Sequence, residues 1–243
     1  MVGLSKQAAY LSDKQVKNAI ARTNDYKYAL RNRAVVELSV YAGLRAIEIA
    51  SMRWEHLLDE DGRVGEVIKL TNDASKGKSG GLVPLNAKLK QTLTELFDAT
   101  AVKSAKSAVI TNGQGQALKR QSVVNLLWSH YRKCDIAGAS SHSGRRTFIT
   151  NAARKISLVG GSVRDIQALA RHKNLQTTQR YVEQNTEVSK AYVVSCGFLS
   201  SSKSSSSRAS LIIDATTPPI KSRIPCQGPV PKKVNPVVYS SAK

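Results

Sequence analysis

Two arginines, a lysine, two histidines and a tyrosine follow one another along the chain in an order that could serve phosphoryl chemistry. Cleaving a phosphodiester without a metal requires a nucleophile, cationic donors for the non-bridging oxygens and an acid for the leaving oxygen. Arginine suits the donor role, because its planar fork matches phosphate geometry and stays charged. Each residue alone would be an ordinary surface or core side chain, so the hypothesis depends on the set. The six candidates are Arg45, Lys76, His142, Arg145, His172 and Tyr181.

Four short motifs carry these six residues. They are residues 41–54, with Gly43-Leu-Arg45 and a terminal Arg53-Trp54; residues 75–84, from Ser75-Lys76 to Val83-Pro84; residues 142–150, opening with His142-Ser-Gly-Arg145; and residues 169–181, in which Tyr181 follows His172 by nine positions. In this order, they resemble the motifs of the catalytic domain of the tyrosine recombinase, or phage integrase, family. The spacing to Val83-Pro84 selects Lys76 rather than Lys78 as the hairpin lysine of that family.

The chain departs from the family pattern at two positions. Ala170-Arg171 stand where the family usually has Leu-Gly before the second histidine, which adds a side chain and a charge beside His172. Arg146 occupies a position often held by histidine, a conservative change if the residue contacts phosphate. The first helix of family type begins near Ser12, so we also expect no separate DNA-binding domain ahead of the catalytic one.

The resemblance implies a DNA strand-exchange reaction through a 3′-phosphotyrosine intermediate. Tyr181 would attack the scissile phosphate and become joined to the 3′ end, so ligation would be the same step reversed. Neither ATP, a metal nor any other cofactor would be needed. Arg45 and Arg145 would hold the non-bridging oxygens, and Lys76 would protonate the leaving 5′ oxygen.

The histidines complete the set of roles that the resemblance implies. His142 would accept or share the proton of the tyrosine, and His172 would donate a hydrogen bond to the phosphate, since histidine can be neutral or charged near pH 7. Further contacts to DNA are expected from four basic residues, Lys78, Lys119, Arg120 and Arg146.

Hydrophobic periodicity predicts the elements that must position these residues. Between Gly62 and Val83, short apolar runs lie among Gly, Asn, Asp and Ser, which predicts a small antiparallel sheet with Lys76 in its turn. Elsewhere helical spacing dominates, so we expect an α+β fold that is mainly helical. The predicted helices follow the N-cap Ser12 through Ala21 and then span Leu30–Tyr41, Arg45–Trp54, Leu89–Phe97, Ser122–Arg132, Arg145–Ala153, Val163–Ala170 and Thr178–Val194.

Composition points to a polyanionic partner. The 243 residues are 41% hydrophobic, enough for a buried core, which excludes a peptide hormone or a disulfide-stapled miniprotein. Lysine and arginine outnumber aspartate and glutamate by 37 to 17, and nucleic acid is the commonest partner of such a charge. Three scattered cysteines without a CxxC pair are typical of reduced intracellular thiols. With no signal-like or membrane-spanning apolar run, we expect a cytoplasmic protein of a bacterial cell, acting on DNA and not in a membrane.

Domain organisation and assembly are further expectations. We expect residues 1–195 to form the catalytic domain and residues 196–243, which are rich in serine and proline, to be a disordered basic tail. Exchange between two duplexes would require double-stranded DNA and four protomers of this chain, and accessory DNA-bending proteins could assist.

Other interpretations stay open on sequence alone. The chain could be a basic DNA-binding accessory protein that descends from such an enzyme and has lost catalysis, or a DNA-relaxing enzyme similar to type IB topoisomerases. A zinc site of Cys134, His142 and His172 fits no known ligand spacing. A P-loop ending at Lys78-Ser79 would need glycine at position 72, where the sequence has Asn72.

Overall fold

The computed structural model describes residues 8–71, 80–100 and 104–183. Lys76, Lys78, the end of the helix predicted to reach Val194, the proposed domain boundary at residue 195 and the serine- and proline-rich tail lie outside the described residues. Within the described ranges, no helix is both long and apolar enough to cross a membrane.

The described residues form eight α-helices and one two-stranded sheet, with three short 3₁₀ turns between them. This confirms the predicted α+β fold with mainly helical structure. In chain order the elements are α1 (Asp13–Ala21), α2 (Ala29–Tyr41), α3 (Ala46–Ser51), β1 (Val67–Leu70), β2 (Gly81–Pro84), α4 (Ala87–Asp98), α5 (Arg120–Lys133), α6 (Ser143–Lys155), α7 (Val163–Ala170) and α8 (Leu175–Glu183).

The start of α1 is fixed by a capping box, in which Ser12 is the N-cap residue that the sequence predicts. The Ser12 hydroxyl accepts a hydrogen bond from the backbone N–H of Gln15 at 3.3 Å, and the Gln15 side chain accepts one from the Ser12 N–H at 2.9 Å. Two backbone donors that a helix start leaves unpaired are thereby satisfied. Asn86 caps α4 in the same way through the N–H of Leu89.

The central helix is α2, which packs against α1, α4, α5 and α6. Its residues from Ala34 to Val40 are all buried, including Glu37 and Ser39. A helix that is covered on every side has no polar face, so its sequence carries little amphipathic signal. Because α3 follows α2 directly and α6 packs across it, α2 brings the first and third motifs of the sequence together.

The sheet is an antiparallel pair in which Ile68 lies opposite Val83 and Lys69 opposite Leu82. Ile68, Leu70 and Val83 point into the core, while Leu82 is largely exposed, so the strands alternate between a buried and an open face. The two strands flank residues 72–79, so the segment of Lys76 joins them as the sequence predicts, although its own structure lies outside the described residues.

The helix predicted over Arg45–Trp54 is wrong in its last three residues, because α3 ends at Ser51 and Met52 is extended. The reason is tertiary. The backbone N–H of Trp54 donates to the carbonyl of Ser107, and that of Val109 donates to the carbonyl of Met52. These bonds to a distant segment replace the helical ones and bury Trp54 completely.

The other helix bounds differ by a few residues. Helix α8 begins at Leu175 instead of Thr178, because the side chain of Asn174 accepts a hydrogen bond from the N–H of Gln176 and starts the helix earlier. Helices α5 and α6 each begin two residues before their predicted starts, and α7 matches its predicted span.

The packing of α6 on α2 depends on Gly144. A Cβ atom at this position would lie 2.2 Å from the Ser39 hydroxyl oxygen and 3.0 Å from its carbonyl carbon. We expect Gly144→Ala to push the helices apart and lower the free energy of unfolding by about 1–3 kcal/mol, measured by urea denaturation. Ser122→Ala, on the exposed side of α5, is the control and should change it by less than about 0.5 kcal/mol. Equal stability of both variants would show that the contact is not tight.

Candidate active site

A sharp bend at Gly43 sets the position of Arg45. Gly43 has φ +61°, and a Cβ atom there would lie 2.4 Å from the ring of Phe148, so only glycine fits. The bend separates α2 from α3 and makes Arg45 the N-cap residue of α3. Its side chain is 24% exposed and therefore can be reached by a ligand.

The buried carboxylate of Glu48 orients Arg45. One oxygen accepts a hydrogen bond from the Arg45 guanidinium at 2.8 Å, and the other accepts one from the Arg45 backbone N–H at 2.8 Å. The second oxygen also accepts a bond from the guanidinium of Arg171 at 2.8 Å. Glu48 is fully buried, and these charge-assisted bonds compensate for its loss of water.

Arg145 is held by two backbone carbonyls. It projects from the first turn of α6 and is only 7% exposed. Its guanidinium donates to the carbonyl of Gly43 at 2.5 Å and to the carbonyl of Ala170. Burial, followed by the nearby charges of Arg45 and Arg171, lowers the pKa of Arg145 to about 9. The group is still a cation at neutral pH, at a site that disfavours unbalanced positive charge.

His172 and Tyr181 lie side by side. Their rings are stacked with centroids 5.9 Å apart, and His172 Nδ1 lies 2.9 Å from the hydroxyl oxygen of Thr178 on α8. Burial, followed by the charges of Arg145 and Arg45, lowers the pKa of His172 to about 4. His172 is therefore neutral at pH 7 in this structure.

Tyr181 is half-buried and packs at the edge of a small apolar cluster formed by Ile149, Ile166 and Ala170. Its hydroxyl is near enough to Arg145 to affect the pKa of that guanidinium. The tyrosine is thus neither sunk in the core nor remote from the arginines.

His142 precedes α6 as its N-cap residue and is exposed. Partial desolvation lowers its pKa, and Arg145, Arg45 and Arg120 act in the same direction. The structure therefore brings five of the six candidate residues to one place: Arg45, His142, Arg145, His172 and Tyr181. The sixth, Lys76, lies outside the described residues.

A cleft of about 750 Å³ opens beside this cluster, between the start of β2 and α7. Gly81, Arg171 and His172 are among the residues that line it. Gly80 and Gly81, which follow the segment of Lys76 in the sequence, both line this cleft.

The residues expected to contact DNA occupy different settings. Lys119 and Arg120 are exposed at the start of α5. Arg146 is half-buried and donates to the carbonyl of Ala8 at 2.6 Å. Lys78 lies outside the described residues.

The cysteine considered for a zinc site has a different neighbour. Cys134 is buried at the end of α5, and its Sγ lies 3.8 Å from Nε2 of His130. In the parts of the chain that the structure describes, no three His, Cys, Asp or Glu residues group together as metal ligands.

Sequence reasoning gave no role to Glu48, Arg171 or Thr178. The spacing of Arg45 and Glu48 could have suggested their contact, since residues three apart are neighbours on a helix start. In the sequence, Arg171 was noted only because it replaces the glycine that usually precedes the second histidine in the resembled family. The contact between Glu48 and Arg171 spans 123 positions, and no local pattern predicts it.

The chain belongs to the phage integrase family, whose pattern matches residues 9–187. Among curated proteins it is similar to the tyrosine recombinase XerC of Myxococcus xanthus, with 33% identity over 164 residues that cover 63% of this chain and 50% of that protein. It is also similar to the tyrosine recombinase XerD of Ralstonia nicotianae, with 29% identity over 70% of this chain and 54% of that protein. The chain thus spans about half the length of the curated relatives it matches.

Solved structures share the fold at low sequence identity. The crystal structure of XerA recombinase aligns with a TM-score of 0.62 and 19% identity, over 80% of this chain and 65% of that one. The XerH site-specific recombinase, bound to its palindromic difH substrate after cleavage, aligns with a TM-score of 0.59 and 19% identity, over 79% of this chain and 56% of that one. The predicted fold family is therefore confirmed.

The pKa of His172 has a consequence for stability that can be measured. In the unfolded chain a histidine takes up its proton near pH 6.5, whereas His172 in the folded protein does so near pH 4. Between these values the unfolded state binds more protons, so stability falls as the pH falls through this window. We expect His172→Gln to reduce the stability lost between pH 7.5 and 5 by about 1–3 kcal/mol, measured as the urea-unfolding free energy at each pH. If the variant lost as much stability as the wild type between these pH values, the loss would not come from protonation of His172.

Proposed function

We propose that this chain is the catalytic part of a site-specific DNA recombinase that cleaves and rejoins strands through a 3′-phosphotyrosine intermediate. The observation that carries the proposal is the convergence of Arg45 and Arg145 on one bend of the backbone, with His172 stacked on Tyr181 beside them. Two cationic forks next to a phenol suit an in-line attack on a phosphodiester. Membership of the phage integrase family supports the same reaction.

In the proposed reaction a bond forms between the Tyr181 phenol oxygen and phosphorus while the bond from phosphorus to the 5′ oxygen breaks. The phenol proton passes to His142, which is able to accept it because its lowered pKa keeps it neutral at pH 7. Lys76 supplies the proton of the leaving 5′ hydroxyl. Rejoining reverses every transfer, so the energy of the phosphodiester is conserved.

The arginines and His172 stabilise the charge that develops on the non-bridging oxygens. In the tautomer of neutral His172 that carries its proton on Nε2, Thr178 donates to Nδ1, 2.9 Å away, and Nε2 can donate to one of these oxygens. The positive charges that lower the pKa values of His172 and Arg145 also favour an incoming anion. Losing one such donor costs on the order of 10²- to 10³-fold in rate.

Double-stranded DNA is the proposed partner, and the first turn of α5 supports its contact with the chain. Lys119 and Arg120 stand at the N-terminal end of this helix, where the first turn carries no acidic residue. Cations are unfavourable there because of the helix dipole, whereas the free backbone N–H groups suit phosphate. Arg120 also acts on the pKa of His142, so a phosphate bound to it would lie close to the reacting one.

Strand exchange requires two cleaved strands from each of two sites, so we propose four protomers on two duplexes, with Lys78 and Arg146 as further phosphate contacts. Accessory DNA-bending proteins would assist where the two sites must be brought together. The bacterial cytoplasm, where the DNA lies, is the proposed compartment.

The nucleophile can be tested without knowing the target sequence. The probe is a pool of nicked duplex oligonucleotides with a random central core. The nick releases the short strand after cleavage and traps the adduct, which is recovered on a denaturing gel and sequenced. We expect wild-type protein to form this adduct and Tyr181→Phe to lose it by more than about 10³-fold, because phenylalanine has no nucleophilic oxygen. The duplex affinity of the variant should stay within twofold in a gel-shift assay.

Tyr192→Phe is the matched control, since it removes a phenol oxygen from the same part of the sequence, and it should leave the adduct yield unchanged. An adduct that persists in Tyr181→Phe would reject Tyr181 as nucleophile. A wild-type protein that binds the pool and never forms an adduct would favour an accessory DNA-binding protein.

The role of Lys76 can be separated from that of Tyr181 by changing the leaving group. We expect Lys76→Ala to lower the rate of adduct formation by about 10²- to 10⁴-fold on an ordinary phosphodiester. On the recovered sequence with sulfur in place of the bridging 5′ oxygen, the variant should regain nearly the wild-type rate, because a thiolate leaves without protonation. Lys78→Ala is the control and should show no such rescue. If the sulfur substrate restored the rate of Lys78→Ala and not that of Lys76→Ala, Lys78 would be the general acid.

A further inference from the structure

Arg171 has a backbone conformation that suits glycine. It ends α7 with φ +51° and ψ +46°, and Asp135 is the other non-glycine residue with positive φ in the described ranges. Side chains beyond glycine disfavour this left-handed region. Position 171 therefore holds an arginine against the preference of its backbone. The contacts of the Arg171 side chain must therefore compensate for this unfavourable backbone conformation.

The side chain of Arg171 joins the site through Glu48. Only 4% of it is exposed, and one guanidinium nitrogen lies 2.8 Å from the Glu48 carboxylate, which is fully buried. The same carboxylate binds Arg45 by both its guanidinium and its backbone. Glu48 is therefore gripped from two sides, and Arg171 restricts the freedom of the carboxylate that aims Arg45.

The turn that carries Arg171 also touches the other members of the site. Ala170 accepts a hydrogen bond from Arg145 through its carbonyl, and His172 stacks on Tyr181. Three consecutive residues of one turn thus contact Arg145, Glu48 and Tyr181. Displacement of this turn would disturb both arginines and the tyrosine together.

Stability alone does not explain Arg171. Its Nε and Nη1 atoms are buried, and neither has a hydrogen-bond partner among the described residues. Buried donors without partners are unfavourable and uncommon in folded proteins. Glu48 balances only one of the three guanidinium charges of Arg45, Arg145 and Arg171, so the cluster has excess positive charge where the phosphate is proposed to bind.

We propose that Arg171 is a positioning residue that fixes Glu48, and through it Arg45, in the orientation that grips the non-bridging oxygens of the scissile phosphate. The inference rests on the proposed function. It predicts that Arg171 affects the rate of cleavage through the charge that Arg45 presents to the phosphate, and not through DNA affinity.

The test measures single-turnover adduct formation on the nicked duplex recovered with wild-type protein. We expect Arg171→Met to lower this rate by about 10- to 100-fold, with duplex affinity within twofold of wild type. Arg171→Gly relieves the backbone and should lose a similar factor, while Arg171→Lys keeps the ion pair with Glu48 and should lie between Met and wild type. Lys88→Met, which removes one positive charge from the exposed side of α4, is the matched control and should react at the wild-type rate.

A neutral substrate separates positioning from a general structural defect. With a methylphosphonate at the scissile linkage one non-bridging oxygen is lost and the charge is removed, so the position of Arg45 matters less. We expect the ratio of the wild-type and Arg171→Met rates to shrink to about threefold or less on this substrate. In an Arg45→Ala background, Arg171→Met should add little further loss.

The possible failures are distinct. If wild-type protein forms no Tyr181-dependent adduct, the proposed function is overturned and this inference with it. If the adduct forms but folded Arg171→Met and Arg171→Gly react at the wild-type rate, only this inference is overturned. A deficit of equal size on the charged and neutral linkages would also overturn it. If circular dichroism shows that Met and Gly variants do not fold, Arg171→Lys decides by the same comparison of substrates.

Discussion

The buried carboxylate of Glu48 is the interaction on which the arrangement of the site depends. It lies at 0% exposure between two guanidinium groups, with a backbone N–H as a further donor. Removing a carboxylate from water is costly, and only this dense set of charge-assisted bonds makes the position tolerable. The same bonds determine where Arg45 points. Because the buried charge of Glu48 must be compensated, the side chain of Arg45 is held in one orientation.

A cluster of this kind does little for stability. Burial of ion pairs seldom gains more than it loses in desolvation, and here two donors of Arg171 are left without partners in the described chain. The pKa of Arg145 is lowered by burial and by its cationic neighbours. A phosphate bound as proposed would balance the excess positive charge of the cluster. In the proposed function, the charge of the cluster is preorganised for phosphate at some expense of stability.

The sequence predicted most of the fold and little of the contacts that organise the site. Helices with a clear polar side, such as α7, were predicted in full, because periodicity reports burial directly. Trp54 was wrongly included in a helix, since its backbone pairs with a segment more than 50 residues away. Arg45 and Arg145 were identified by motif. That both meet at the carbonyl and the bend of Gly43 could not be read from the chain, because this contact spans 102 positions.

The described residues ahead of α1 are hydrogen-bonded to α6, the helix of Arg145, and to the loop that precedes it. The N–H of Leu11 donates to Thr147, the Tyr10 hydroxyl donates to Asn151, and Arg146 donates to the carbonyl of Ala8. Thr147 and Asn151 lie two and six positions after Arg145 on α6. A pull on the amino-terminal end of the described chain would therefore load α6 and the loop that precedes it. The fold thus provides a connection along which tension would reach Arg145, one of the two arginines proposed to bind phosphate.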